Sequence, residues 1–584
     1  MGGFFKSALA TVVGIFFTLI IFGIFFFSIL ISSTSSSTYI LKDNTVLCIK
    51  LSGQMKDRTN PNPLRKALGL SDVDEISLSD ILSSIQKAKE NDKVKGIYIY
   101  SEYLSASTAS LLEIRNELKN FKESGKFIIA YADTYMQGCY FLASVADKVI
   151  LNPQGNLDLH GLASSRTFYK GLLDKIGVQI QVFKVGTYKS AVEPYMLDKM
   201  SPANREQVNS YIQDVWTTIT SEISESRNLS ANQLNAIADE LPVLREARLA
   251  VENGLADTLM YRPDVKRYIA SIMDADPEHM SYASVENMKS VGFASRNNYR
   301  ENITVLYAEG SIQSGDGKDE INDRYYVEQL EKLKKDENVK AVVFRVNSPG
   351  GSAYASEQIW KAVTDLKAVK PIVVSMGDYA ASGGYYISCN ASKIIAQPST
   401  LTGSIGIFGM FPNVEGLTNK IGLTFDNVKT NKFSDFGDFT RPMREDEKAI
   451  LQAYIEKGYD LFTSRCADGR KMTKEAIGKI AEGRVWTGRQ ALEIGLVDEL
   501  GGIDLAIEEA AKLANIESYS VVELPGRKDF WEEFIGNLRT EIAVSAIREY
   551  LGTDYEILKV IREIKEMKGQ DFIQARLPFD FEIK

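Results

Sequence analysis

Two stretches of this chain, Phe127–Pro153 and Ile372–Pro398, repeat one another at a constant offset of 245 positions. Asp133, Gly138, Tyr140, Ala146, Lys148, Ile150 and Pro153 fall on Asp378, Gly383, Tyr385, Ala391, Lys393, Ile395 and Pro398. The same offset sets Val94-Lys95 on Val339-Lys340 and Lys175-Ile176-Gly177 on Lys420-Ile421-Gly422. Near the ends, Gly254-Leu255-Ala256-Asp257 resembles Gly495-Leu496-Val497-Asp498. An ordered series of matches running through both halves requires one fold built twice.

Each half reads as alternating strands and helices. Ala341–Val346 is a short apolar run closed by the turn signal Asn347-Ser348-Pro349-Gly350-Gly351, and Tyr354–Leu366 has helical spacing. Ile372–Met376 is a second buried strand, followed by a small-residue turn, a helical stretch at Tyr385–Cys389 and the apolar Ile394-Ile395-Ala396. This alternation predicts an α/β fold with a mainly parallel sheet. The polar stretch 296–302 divides the halves, which gives expected domains at 45–295 and 302–526. Beyond them, 527–584 reads as a charged, helical extension with no assignable role.

The copies differ where chemistry is expected. Ser382 follows a strand and opens a helix in Ala381-Ser382-Gly383-Gly384, a sharp turn whose glycines let a substrate approach. The neighbouring Pro349-Gly350-Gly351 loop can aim backbone N–H groups at the same point, which is the requirement for stabilising an oxyanion. In the first half Gln137 stands opposite Ser382, and Tyr103-Leu104-Ser105-Ala106 stands opposite Ser348–Gly351. A nucleophilic serine needs a base. The chain has only two histidines, and of these His160 lies close after the equivalent turn of the first half. The other option is a lysine whose amine is neutralised by desolvation, as in Ser–Lys variants of the triad. Spacing alone does not choose among the lysines.

Three motifs together carry a resemblance. Gly186-Thr187-Tyr188-Lys189-Ser190-Ala191-Val192-Glu193-Pro194, Ser348-Pro349-Gly350-Gly351 and Ala381-Ser382-Gly383-Gly384 resemble the lysine, oxyanion and nucleophile motifs of the long, duplicated signal peptide peptidase A family, peptidase family S49. The glycine loop and serine turn also resemble the wider Clp protease and crotonase superfamily. The resemblance implies two tandem Clp protease/crotonase-like domains, with Ser382 as nucleophile and Lys189 as general base. Gly351 and Gly383 would donate N–H groups to the oxyanion, and Ser404 in Thr402-Gly403-Ser404-Ile405-Gly406 would orient the lysine. It further implies a homotetramer that degrades signal peptides and other peptides through an acyl-enzyme, with no metal or cofactor. At the 245 offset Lys189 falls on Ser434, so each copy is expected to supply one member of the pair. Substrates are expected to bind extended, added as a strand beside the oxyanion loop.

The N-terminus bears on location. Residues 8–31 form a mostly apolar run of 24 residues without charge, long enough to cross about 30 Å of hydrocarbon. An uncleaved single-pass anchor in a bacterial inner membrane is expected. Lys6 and the amino terminus would stay cytoplasmic and both halves would lie on the periplasmic side. The four cysteines are scattered, with no Cys-x-x-Cys, which argues against a disulfide framework or a structural zinc site. A net charge of −9 argues against nucleic acid as a partner. Two alternatives stand beside the peptidase: a crotonase-like enzyme acting on an acyl thioester, and a non-catalytic membrane scaffold.

Overall fold

The computed structural model describes residues 39–59, 75–293, 299–317, 320–526 and 573–576, together with the isolated helical positions Gly14, Phe17, Thr18 and Ile21. The expected anchor at 8–31 otherwise lies outside the described residues. Among those that are described, no helix is long and apolar enough to cross a membrane.

Each half is built around a parallel sheet. The first runs β2 (Glu75–Ser77), β1 (Thr45–Lys56), β3 (Val94–Ser105), β4 (Phe127–Tyr135), β5 (Lys148–Leu157) and β7 (Thr258–Leu259), with β8 (Ser281–Ser284) also on β1. The second runs β18 (Val485–Thr487), β16 (Leu401–Gly403), β14 (Ile372–Ala381), β12 (Val339–Ser348), β9 (Asn302–Glu309) and β20 (Ser520–Leu524). Beside β14 lies β15 (Lys393–Ala396), which carries β19 (Glu499–Leu500). Only β18 joins its neighbour antiparallel.

The strands read as continuous apolar runs because both faces are covered. In β4, Ile128, Ala130 and Ala132 pack under the helices Leu78–Glu90 and Thr108–Lys122, while Ile129 and Tyr131 face the helix Arg262–Ile272. In β14, Ile372, Val374 and Met376 enter one core, and Val373 enters another under the helix Ile503–Ala514. This period of two follows from the pleat.

The repeat holds in three dimensions but its offset drifts. The 26-residue helix Pro202–Arg227 corresponds to Glu445–Arg470, two positions short of the 245 offset, and Arg262–Ile272 corresponds to the helix starting at Ile503. Two residues are therefore missing from the second half between the counterpart of Gly177 and this helix, the interval that contains Lys189. Lys432, and not only Ser434, falls in the window opposite Lys189. Lys432 is solvent-facing, ion-paired with Asp446, and stands beside no serine equivalent to Ser382.

A third, mixed sheet ties the halves together. It runs β11 (Ile321–Asn322), β10 (Ile312–Gln313), β13 (Gly350–Ser352), β21 (Ile573–Arg576), β17 (Phe408–Asn413) and β6 (Gln179–Lys184). Here β6 of the first half pairs antiparallel with β17 of the second, Phe183 opposite Gly409. The expectation of a helical extension at 527–584 does not hold at Ile573–Arg576, which is a strand because it has a partner on each side.

A buried charge cluster forms a second tie. Arg345, in mid-β12 and 2% exposed, donates to Asp57 at 3.1 and 3.2 Å and to Glu113 at 2.9 Å, both in the first half. Burial alone would lower the Arg345 pKa, but Asp57 and Glu113 outweigh it and hold the guanidinium charged. At the end of β14, Asp378 accepts from the Ser110 hydroxyl at 2.7 Å and from the Ser107 hydroxyl, at the start of the helix Thr108–Lys122. Removing the cation from such a cluster leaves carboxylates buried and unpaired. Arg345→Met is therefore expected to destabilise the docked halves by about 3–5 kcal/mol. Denaturant unfolding of the two proteins side by side measures this, and an unchanged midpoint would contradict the role given to the cluster.

Candidate functional site

Ser382 sits between β14 and the short helix Gly383–Ser388 with φ 57° and ψ −112°, a conformation that serine rarely adopts. Its N–H donates to the Gly403 carbonyl at 2.8 Å, and its carbonyl accepts from Tyr386 N–H at 2.8 Å. The turn is thus pinned on both sides, as strained residues at functional sites generally are. The side chain is fully buried.

Lys189 reaches Ser382 from the other half. Its Nζ lies 2.7 Å from Ser382 Oγ, 3.0 Å from the Ser404 carbonyl and 3.1 Å from Ser404 Oγ. Lys189 is fully buried, and burial drives its pKa well below the ordinary 10.5. No carboxylate contributes to that shift. A neutral amine has two N–H bonds and one lone pair. With both N–H bonds used on Ser404, the lone pair is left facing the serine hydroxyl. The Phe408 ring, its centroid 6.0 Å from Nζ, forms part of the wall.

The lysine is placed by close backbone packing. Gly186 has φ +108°, and a Cβ there would fall 2.4 Å from the Glu482 carbonyl oxygen. A Cβ on Gly483 would fall 2.7 Å from the Lys189 Cβ. Tyr188 N–H donates to the same Glu482 carbonyl at 2.9 Å. Behind the loop, Gln207 Nε2 donates to the Tyr188 carbonyl and to Ser190 Oγ, each at 3.0 Å, while Gln207 Oε1 accepts from Val485 N–H at 3.2 Å. Glu193 accepts from Asn204 Nδ2 at 2.8 Å and from Ser201 Oγ at 2.5 Å. Sequence reasoning missed Gln207 and Gly483. Gln207 lies on a polar helix with no local signal, whereas a glycine following a residue with positive φ (Glu482, 52°) marks a tight turn.

The glycine loop lies across the same cleft. Gly350 has φ +102° and its N–H donates to Ser348 Oγ at 3.1 Å. Gly351 is in ladder register with Ile312 on one side and Ala575 on the other. A Cβ on Gly350 would lie 2.1 Å from the Ala575 carbonyl oxygen and 2.8 Å from Gly383 N, and one on Gly383 would lie 3.1 Å from that same oxygen. Gly350 and Gly383 thus crowd the same carbonyl next to Ser382, whereas a Cβ on Gly351 would meet the Ile312 carbonyl oxygen at 2.0 Å.

The structure brings together Ser382, Lys189 and Ser404, with Gly383 following Ser382, and sets Gly351 one residue beyond the Gly350 that packs on Gly383. It does not bring in His160. That residue pairs with Asp158 at 2.6 Å in the first half, and its backbone N–H donates to Gln137 Oε1 at 2.9 Å. Gln137, the counterpart of Ser382, is occupied by bonds to the backbone of His160 and Gly161.

Comparison with known proteins follows the same division. The profile of peptidase family S49 matches residues 120–275 and 364–517, one stretch in each half, and the Clp protease profile matches residues 295–402. Protease 4 of Salmonella typhi is 39% identical over 81% of this chain and 79% of its own length. Protease 4 of Haemophilus influenzae is 33% identical over 96% of this chain and 94% of its own. The chloroplastic serine protease SPPA of Arabidopsis thaliana is 28% identical over 92% of this chain and 78% of its own. With the match in both halves and across nearly the whole chain, this protein belongs to peptidase family S49 and is a serine protease, not an acyl-thioester enzyme or an inert scaffold.

Proposed function

We propose that this protease cuts peptide bonds with a Ser382–Lys189 dyad and degrades signal peptides released into a bacterial inner membrane, along with other extended peptides. The observation that carries the reading is the 2.7 Å contact between a buried amine and a buried hydroxyl contributed by different halves. Lys189, neutral at rest, takes the Ser382 proton as Oγ attacks the peptide carbonyl. The N–H groups of Gly351 and Gly383 receive the developing oxyanion. Ser404 holds the amine, and the ammonium then protonates the departing amine. Water enters with Lys189 again as base and releases the acyl group. Anchoring by residues 8–31, with the N-terminus cytoplasmic and both catalytic halves periplasmic, would place the cleft on the side where signal peptides are released.

A homotetramer is supported by faces that the repeat leaves uncovered. Between the halves of one chain, Tyr211 and Val485 pack together and are each about 1% exposed. Their counterparts across the repeat, Tyr454 and Leu244, are 60% and 78% exposed. The residues that dock one half on the other thus have solvent-exposed counterparts, one on each half. Such a head-to-tail contact closes into a ring when its rotation permits.

Ser382→Ala is expected to lower peptide hydrolysis by about 10⁴–10⁶-fold with the fold retained. Near-normal turnover by the purified variant would refute the nucleophile assignment. Activity should rise with pH as Lys189 loses its proton. Because burial moves that pKa down, the rise should be complete well below the ordinary lysine value of 10.5. Lys189→Arg keeps its proton throughout and should be inactive at every pH, so an active arginine variant would refute the base. For the assembly, Tyr454→Glu should shift the species seen in size-exclusion chromatography with light scattering from tetramer to smaller forms. An unchanged tetramer would place the interface elsewhere.

A further inference from the structure

The helix Pro202–Arg227 of the first half lies against the edge of the second half's sheet along a stripe of polar residues. Gln207, Ser210, Asp214 and Thr218 stand three or four positions apart and so share one face. Each bonds to β18 or to the helix Gly488–Glu493 that follows it. Gln207 Oε1 accepts from Val485 N–H at 3.2 Å, and Asp214 accepts from the Thr487 hydroxyl at 2.6 Å. Ser210 Oγ accepts from Gln490 Nε2 at 3.1 Å, and Thr218 Oγ1 accepts from Arg489 at 2.6 Å. Gln207 differs from the others on the stripe in two ways. It is fully buried, and its bonds also reach the loop that carries Lys189.

The Gln207 amide straddles the lysine. Nε2 donates to the Tyr188 carbonyl and to Ser190 Oγ, on the residues either side of Lys189, each at 3.0 Å. Oε1 faces the other way, to β18. That strand lies antiparallel beside β16 with Val485 opposite Gly403, and the Arg484 carbonyl accepts from Ser404 N–H at 2.7 Å. The Gly403 carbonyl in turn accepts from Ser382 N–H at 2.8 Å. One side chain therefore joins the lysine loop to the strand pair that holds both Ser382 and Ser404. These bonds need donors on one atom and an acceptor on the other. A carboxylate lacks the donors, and an alkyl group has neither.

We propose that Gln207 is a positioning residue that seals the Lys189 amine against Ser382 and Ser404 once the halves dock, a role that rests on the Ser382–Lys189 reading. A loop released from β18 admits water to the amine, and a hydrated amine regains its proton. The charged groups around the loop are engaged elsewhere. Lys184 Nζ donates to the Lys189 carbonyl at 3.4 Å, and Glu482 accepts from Thr187 N–H at 3.3 Å. Glu193 accepts from Ser201 and Asn204, and Glu206 is shared by the Tyr188 hydroxyl at 3.2 Å and Arg484 at 3.0 Å. Burial, and none of these charges, keeps the amine neutral, so the seal is what the base depends on.

The pH dependence of kcat and KM for a fluorogenic peptide, measured on the full chain, tests this. Gln207→Leu removes both donors and the acceptor at similar side-chain size. Its activity should reach half-maximum about one pH unit or more above the wild type, with kcat near neutral pH down about tenfold, KM within about twofold and kcat recovering as pH rises. Gln207→Glu keeps the acceptor for Val485 but loses the donors, and should move the profile in the same direction. Ser210→Ala removes a docking bond from the same stripe and should leave the profile in place. An equal loss at every pH in Gln207→Leu would make the residue purely structural and overturn the proposal. A Ser210→Ala profile displaced as far as that of Gln207→Leu would overturn it too, by assigning the effect to docking in general. Should Gln207→Leu fail to fold, Gln207→Glu carries the test, and a profile coinciding with the wild type is then the overturning result. A wild-type profile with no rise below the ordinary lysine value of 10.5 would instead overturn the dyad reading itself.

Discussion

An amine buried without a counter-charge is the constraint on which the site depends. Lys189 lies in full burial with two bonds to Ser404 and one contact to Ser382, and desolvation alone depresses its pKa. A carboxylate at that spot would hold the lysine protonated and useless as a base. The surrounding features keep the spot dry and neutral. Gly186 and Gly483 let backbone close over the side chain, Gln207 fixes the loop from behind, and Phe408 forms part of the wall. Charge is instead gathered at the other tie between the halves, where Arg345 meets Asp57 and Glu113. The two contacts divide the work: one locks the halves in register through ion pairs, and the other uses that register to bring the buried Lys189 amine to the Ser382 hydroxyl.

What the sequence disclosed follows from how each feature is encoded. The two parallel sheets were legible because their strands are short apolar runs separated by helical spacing, repeated twice. Ser382 and Gly351 were legible because the second copy departs from the first at those positions, and Gly383, shared with Gly138, because it directly follows Ser382. Lys189 was not separable from other lysines by spacing, since its role comes from burial that only the assembled halves create; a motif resemblance was needed to single it out. The link between β6 and β17 was hidden because antiparallel partners so far apart leave no local trace. The offset slips by two residues between Gly177 and Pro202, which puts Ser434 opposite Lys189 on paper while Lys432 shares that window in the folded chain.

Arg345 shows how a hidden feature can still leave a mark. It interrupts the apolar run Val342-Val343-Phe344-Arg345-Val346, a place where an unpaired charge would be costly, so its presence implied a buried partner without naming one. Ile573–Arg576 left no such mark. Four residues inside a charged extension have no strand signature of their own, and they are extended here because β13 and β17 flank them. Local propensity fails where the partners decide the conformation.

On the proposed reading, the division of the Ser382–Lys189 pair between the halves also governs when the chain becomes dangerous to its surroundings. Lys189 and Ser382 are separated by 193 residues, and ribosomes add about 5–20 residues per second. Lys189 is therefore made about 10–40 s before Ser382. During that interval β6 has no β17 to lie against and the Lys189 amine has no Ser382 hydroxyl beside it. A protease built on that pair thus passes most of its own synthesis unable to attack the nascent chains around it.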